Sequence, residues 1–235
     1  TWVVGGEYIS STNIENVNIV YEGGKYYYRA NPVWTARIEG EIIDNILAAY
    51  KDSESMFVEN YELIGKRDLN TLKTNGIIIK EAELGVKFEE VTKYIFENIG
   101  FEVNEKLRKK INTEKDKIDI LISIDDSSVL LVECKTVKDN GYNKFSSISR
   151  QIRSYKTLLE KNNLNVAKIL VVAPEFSDDF VADCGDDFDL NISLIKASSL
   201  TAIYKACKEN AGKKVTAQML MKDVLVQEDR IIRAL

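Results

Sequence analysis

Apolar and polar positions change period several times along this chain, and each change marks an element. Val17 to Val20 and Lys25 to Arg29 flank Glu22-Gly23-Gly24, the pattern of a short hairpin. Thr35 to Lys51 then carries Ile38, Ile42, Ile46 and Ala49 at helical spacing, and Asn70-Thr71-Leu72 suits another short helix. Leu84, Phe88, Val91, Ile95 and Ile99 trace one helical stripe that stops at Gly100, a natural C-cap, before Phe101-Glu102-Val103 opens a strand. Lys106 to Lys110 reads as a solvated basic loop. The period then becomes two. Lys117 to Ile124 and Val129 to Thr136 are rich in apolar, mostly β-branched or leucine residues and flank the polar turn Asp125-Asp126-Ser127-Ser128, which predicts a β-hairpin. Strand alternation places Ile118, Ile120, Ile122 and Ile124 on one face and Asp119 on the other.

After a turn at Asn140 to Asn143, a helix is expected from about Ser146 to Asn162, capped by Ser146 or Ser147, with Ile148, Ile152, Tyr155 and Leu159 as its apolar face. Val166 to Ala173 is a continuous apolar run ended by Pro174, hence a buried strand, and Ile192 to Ile195 supplies one more. Helices follow around Ser198 to Glu209 and from Val215 onward. This order predicts an α/β fold, a mixed central sheet covered by helices on both faces. The expected organisation is a small N-terminal mixed α/β segment over residues 1–80, a core over 81–200 and a helical C-terminal extension over 201–235.

Composition narrows the chemistry. The 235 residues include no histidine, which removes serine-type triads, histidine zinc sites and histidine general bases. Three scattered cysteines, with no Cys-x-x-Cys pair, point to neither a zinc ribbon nor a disulfide framework and suit a reduced, cytoplasmic compartment. No apolar run approaches a membrane span, so no membrane partner is expected. The net charge of −5 argues against nucleic-acid binding through global charge. The first 80 residues, with 8 Lys and Arg against 11 Asp and Glu, make a poor DNA-reading footprint.

Chemistry is then left to carboxylates and lysines, and the hairpin offers both. Glu133 and Lys135, two residues apart, project together. Pairing of Asp119 near Glu133 would bring two carboxylates and an ammonium onto one patch. Opposed like charges destabilise a sheet unless a divalent cation lies between them. Oxygen ligands with positions left for water and a phosphate oxygen suit Mg²⁺, which would polarise the phosphate while the lysine stabilises developing negative charge. By pattern alone, an ordinary exposed hairpin carrying one Asp and a Glu/Lys pair reads the same way.

Four features in chain order resemble the PD-(D/E)xK nuclease superfamily, the restriction-endonuclease-like fold. Gly85 to Glu89 with Ile99-Gly100-Phe101 resembles the first core helix of Mrr-type nucleases. Ile118-Asp119-Ile120 is similar to the motif aspartate, Glu133-Cys134-Lys135 to the E-x-K element, and Gln151 to Tyr155 to the Q-x-x-x-Y helix of RecB-type members. The resemblance implies that Asp119, Glu133 and the Cys134 carbonyl ligate Mg²⁺, with Mn²⁺ substituting, and that Lys135 positions or activates the attacking water. Glu89 would serve a second ion or its water, with Glu90 as its neighbouring competitor. Asp116 competes with Asp119, which is preferred because it lies inside the alternating strand. Gln151 joins the catalytic set, and Tyr155, Arg150, Arg153 and Lys109 become possible DNA contacts. The proline that precedes the motif aspartate in the family is replaced here by Ile118.

The E-x-K element and the following Gly141-Tyr142-Asn143 turn are similar to cleavage domains of FokI-like type IIS restriction enzymes. That similarity implies an endonuclease acting on double-stranded DNA, with specificity held elsewhere. One catalytic site cuts one strand, so a double-strand break would require a second copy or a separate specificity or partner subunit. A repair or recombination nuclease of the junction-resolvase kind is the enzymatic alternative, and an inert nuclease-fold DNA-binding or interaction module is the non-enzymatic one.

Overall fold

The structure is a computed structural model and describes residues 17–22, 25–30, 53–113, 117–138, 141–210 and 212–235. The chain divides into two compact units, Thr1–Asp52 and Ser53–Leu235. In the first, β1 (Val17–Glu22) pairs antiparallel with β2 (Lys25–Ala30), from Val17 opposite Ala30 to Glu22 opposite Lys25, which is the predicted hairpin. The helix expected over Thr35 to Lys51 lies outside the described residues.

The second unit is a five-stranded mixed sheet of β3 (Glu102–Val103), β4 (Ile120–Ser123), β5 (Ser128–Cys134), β6 (Asn165–Ala173) and β7 (Ile192–Lys196), in that spatial order. β3, β4 and β5 are antiparallel neighbours, whereas β5, β6 and β7 run parallel. The hairpin turn forms as predicted because one Asp125 carboxylate oxygen accepts from the Ser127 and Ser128 N–H groups at 2.8 and 2.7 Å. The sheet is buried on both faces, so its strands read as apolar runs. Along β5, Leu130, Val132 and Cys134 join one buried cluster, while Val129 and Leu131 join the other.

Helices α1 (Ser53–Glu59), α2 (Tyr61–Gly65), α3 (Leu69–Thr74), α4 (Leu84–Asn98) and α8 (Ala197–Glu209) contribute to the first cluster or flank it. Tyr61, Ile64, Leu72 and Ile77 are buried in it, so residues 53–80 pack as part of the sheet unit and the boundary falls at Asp52, upstream of the expected Lys80. α6 (Phe145–Lys161) and α7 (Asp178–Asp186) cover the opposite face through Ile148, Ile152, Tyr155, Leu159 and Phe180. The C-terminal residues carry α9 (Ala217–Leu220) and α10 (Glu228–Ala234). Between them Leu225 bridges Leu194, and Leu220 and Ile231 are buried.

Four local expectations change. Lys106 to Lys110 is part of α5 (Glu105–Ile111), because the Asn104 side chain caps it by accepting from the Leu107 N–H at 3.0 Å. α6 starts at Phe145 with Lys144 as N-cap, and neither Ser146 nor Ser147 caps it. α7 was not anticipated, although Ser177 accepts from the Phe180 N–H and is followed by Asp178 and Asp179, a recognisable N-terminal signature. The isoleucines do not share a face. Ile120 and Ile122 enter the first cluster, Ile118 the second, and Ile124 is 41% exposed, because the alternating ladder begins only at Ile120.

Gly141 shows where this frame is least forgiving. Its φ is +77°, and a Cβ there would lie 2.5 Å from the Phe176 backbone carbonyl carbon. Neighbouring Tyr142 is bound to Glu175 and Ser177 through its backbone. Gly141→Ala is expected to lower stability by about 2–4 kcal/mol in urea denaturation, through left-handed strain and overlap with rigid backbone.

Candidate active site

The β4–β5 ladder ends with Ile120 paired to Val132, and Asp119 and Glu133 are the next residues on the two chains. At that step regular pairing stops. The Cys134 N–H donates to the Asp119 carboxylate Oδ2 at 2.8 Å instead of to a strand carbonyl. Asp119 is thereby held at the end of the ladder, just before β4. The chain leading into it is fixed as well. Asn112 accepts from the Ile118 N–H through Oδ1 at 3.0 Å, and Asn112 Nδ2 and Arg108 NH1 both donate to the Ile118 carbonyl at 3.1 Å. Asp116 lies outside the described residues.

Glu133 is 1% exposed. Its Oε1 accepts from Lys135 Nζ at 2.5 Å, while its Oε2 is buried with no hydrogen-bond partner among the described residues. Lys135 follows the strand, and its N–H donates to the Val172 carbonyl at 2.8 Å. Its ammonium also donates to Gln151 Oε1 at 3.2 Å. The Gln151 amide is oriented in turn, because its Nε2 donates to the Tyr155 hydroxyl at 2.7 Å and that hydroxyl donates to the Lys117 carbonyl at 2.6 Å. Gln151 and Tyr155, at i and i+4, are thus one relay joining α6 to the segment before Asp119.

α4 brings Glu89. Its neighbour Phe88 is fully buried and stacked on Tyr61 with ring centres 4.6 Å apart, and the buried Thr92 hydroxyl bonds both the Phe88 carbonyl and the Tyr61 hydroxyl. That packing leaves Glu89 half-buried at the edge of the stripe. The adjacent Glu90 is exposed and pairs with Lys87.

Electrostatics unite these groups. Burial, and then the Asp119 charge, push the Glu133 carboxyl up to about 8 despite its lysine partner. Burial and Asp119 likewise raise Glu89 to about 7, against the opposing pull of Arg108 and Lys135. Burial raises Asp119 too, although the Cys134 N–H, Lys135 and Arg108 counter it. Burial works against the Lys135 ammonium, yet Glu133 and Asp119 outweigh it and hold the lysine above its usual range. The Cys134 thiol, pushed well up by burial and by Asp119, behaves as a small buried residue. Three carboxylates therefore face one lysine and one partly committed arginine.

The donor set fits a hard cation of the Mg²⁺ type, which one or two carboxylates hold with water and phosphate oxygens completing the shell. The orphaned Glu133 oxygen is the observation that carries this fit. Among the described residues, no group of three or more His, Cys, Asp or Glu side chains is arranged to hold a metal ion.

Other sequence-selected residues lie apart. Arg153 pairs with Asp187 at 2.7 Å on the wall of a cavity of about 470 Å³ whose lining includes none of the three carboxylates. Arg150 and Lys109 are exposed. The pattern reading missed Arg108, which grips Glu105 through two nitrogens at 3.1 and 3.0 Å while holding Ile118. Asn104 as a cap, with Glu105 and Arg108 three residues apart, was the available signal.

No protein-family model matches the chain, and no curated protein matches it in sequence. Among solved structures, the restriction endonuclease FokI aligns over 90% of this chain with a TM-score of 0.52 and 14% identity. The fold is restriction-endonuclease-like. The chain covers 38% of FokI's length. FokI bound to DNA aligns over 84% of this chain and 37% of its own, at TM-score 0.45 and 13% identity. The small subunit of the heterodimeric restriction endonuclease R.BspD6I aligns over 76% of this chain and 86% of its own, at TM-score 0.44 and 14% identity. Among the described residues, no helix is long and apolar enough to cross a membrane.

The raised carboxyls make a stability prediction with a defined sign. A carboxyl whose folded pKa is raised adds stability below its unfolded value near 4.5, and that stability is lost as pH rises through the folded value, about 7 for Glu89. In chelator, the protein should lose stability between pH 5 and pH 8.5. Glu89→Gln should recover about 1 kcal/mol at pH 8.5, after discounting for solvent screening, and little at pH 5. Urea denaturation at the two pH values measures both.

Proposed function

We propose that the chain is a Mg²⁺-dependent DNA endonuclease, the cleavage domain or subunit of a type IIS-like restriction enzyme, with Mn²⁺ able to replace Mg²⁺. The observation that carries this reading is the buried Glu133 carboxylate, with one oxygen on Lys135 and the other orphaned, beside Asp119 at the end of a central hairpin. The restriction-endonuclease-like fold supports it. Asp119, Glu133 and the Cys134 carbonyl would hold the cation, with Glu89 serving it from α4. When bound, it supplies the positive charge that offsets the paired carboxylates and polarises the scissile phosphate.

The protein's own groups do the remaining work. Lys135 stays charged through neutral pH and gives two of its N–H donors to Glu133 and Gln151. Its third is left for the attacking water or a phosphate oxygen, where it orients the nucleophile and stabilises charge that develops as the P–O bond breaks. The Gln151–Tyr155 relay keeps that ammonium from swinging toward solvent. FokI's role as a restriction endonuclease, and the heterodimeric assembly of the R.BspD6I small subunit, belong to those proteins. For this chain, double-strand cleavage would take a second copy or a separate partner subunit that also delivers it to double-stranded DNA. The acidic net charge suits a module that binds DNA weakly by itself.

With supercoiled plasmid and Mg²⁺, plus any cognate partner, nicked circles should appear before linear DNA. Lys135→Ala and Asp119→Ala should each lower the nicking rate by about 10²–10⁴-fold. Nicking that survives both changes unaltered would sink the proposal.

A further inference from the structure

A second group of cations lies directly downstream of Lys135. Thr136 follows that lysine, and its hydroxyl accepts from Arg67 NH1 at 3.1 Å. Arg67 sits in the turn between α2 and α3 with φ of 58°, a left-handed conformation uncommon for a residue with a side chain. The turn is tied to the same strand extension, because the Val137 N–H donates to the Gly65 carbonyl at 2.9 Å. Lys138 comes one residue later. Between the two cations is the Glu81 carboxylate, whose Oε1 lies 2.8 Å from Lys138 Nζ and 3.6 Å from Arg67 NH2. Arg67 NH2 also donates to the Glu81 carbonyl at 3.1 Å.

A guanidinium and an ammonium flank one carboxylate oxygen, with the Thr136 hydroxyl holding the guanidinium from its other side, and cations so placed suit a phosphate as well as a carboxylate. Here a carboxylate from the 3₁₀ turn Glu81–Glu83 takes the anion's place. As a structural device the arrangement achieves little, since exposed ion pairs of this kind contribute about 0–1 kcal/mol. Its place on the chain extension that directly follows Lys135 gives it another use.

We propose that Arg67, held by Thr136, and Lys138 form a second phosphate-binding subsite on the chain extension that follows the hydrolytic lysine, and that Glu81 occupies it in the free protein as a competitor displaced by a backbone phosphate of nucleic acid. The proposal rests on the nuclease reading above and adds the residues that hold a phosphate flanking the scissile one. Displacing Glu81 exchanges one anion for another on the same cations. It makes the free protein a weaker DNA binder than its basic residues alone would allow.

The test is duplex binding by the full chain, measured by fluorescence anisotropy of a labelled oligonucleotide in chelator, where hydrolysis does not intervene. Glu81→Gln should tighten binding about threefold to tenfold, and Arg67→Ala or Lys138→Ala should weaken it by a similar factor and reduce the salt slope by about one. In an Arg67→Ala or Lys138→Ala background, Glu81→Gln should give little or no gain. Glu83→Gln removes the same charge from the same turn and should have a smaller effect than Glu81→Gln. An undiminished Glu81→Gln gain in both cation-deleted backgrounds, or an equal gain from Glu83→Gln, would overturn the subsite. Arg67-dependent stabilisation of Glu81→Gln by inorganic phosphate without any change in duplex affinity would also overturn it, as a site for the free anion. Plasmid nicking reads the nuclease proposal separately. Nicking with no Glu81–Arg67 coupling removes only the subsite, and coupling without Lys135-dependent nicking removes only the hydrolysis.

Discussion

The structure turns on a carboxylate buried with half its hydrogen-bonding capacity unused. Glu133 gives one oxygen to Lys135 and leaves the other without a partner, in a place where an unpaired charge costs several kcal/mol. Asp119 faces it across the end of the ladder, and Glu89 approaches from α4, so neighbouring charge makes the burial worse. A fold designed for stability alone would place apolar side chains here. The surrounding residues instead hold the conflict in place. Cys134 gives its N–H to Asp119, Arg108 and Asn112 clamp the Ile118 carbonyl, and Gln151 and Tyr155 fix the ammonium.

That rigidity comes from the location of the site in the sheet. β5 is antiparallel to β4 on one side and parallel to β6 on the other, and Glu133, Cys134 and Lys135 lie at its carboxyl end. Open α/β sheets present ligands at such ends, where backbone pairing gives out and side chains take over. Buried clusters press on both faces of β5, so the strand that carries Glu133 has little freedom to relax away from Asp119. Helices from both layers reach the same point, α4 with Glu89 and α6 with Gln151. Farther along the same chain extension, the Glu81 carboxylate sits between Arg67 and Lys138.

The architecture was legible because its strands and helices have distinct periods. The apolar run at Val166 to Ala173, the stripe from Leu84 to Ile99 and the Asp/Ser turn between the hairpin strands each specify their element through local physics. Less was legible where tertiary contacts override pattern. Ile118 continues the alternation in sequence, yet it packs on the opposite face from Ile120 because side-chain bonds from Arg108 and Asn112 hold the backbone before the ladder begins. Arg108 looked like one more member of a basic run, since nothing in its neighbours reveals that its guanidinium turns inward. Within the candidate site, the E-x-K spacing placed Glu133 and Lys135 on one side from strand geometry alone. The neighbours Glu89 and Glu90 differ in burial and partner only once α4 is docked.

The account rests on the carboxylate pair being completed by a divalent cation. Calorimetric titration of Mn²⁺ into the metal-free chain at pH 7, in two buffers of different ionisation enthalpy, tests this most directly. The account predicts saturable binding accompanied by proton release, because burial and neighbouring charge raise the Glu133 and Glu89 carboxyls and a bound cation opposes that rise, and loss of that binding in Asp119→Ala. No saturable binding to the wild-type chain, or binding that Asp119→Ala leaves intact, would contradict it.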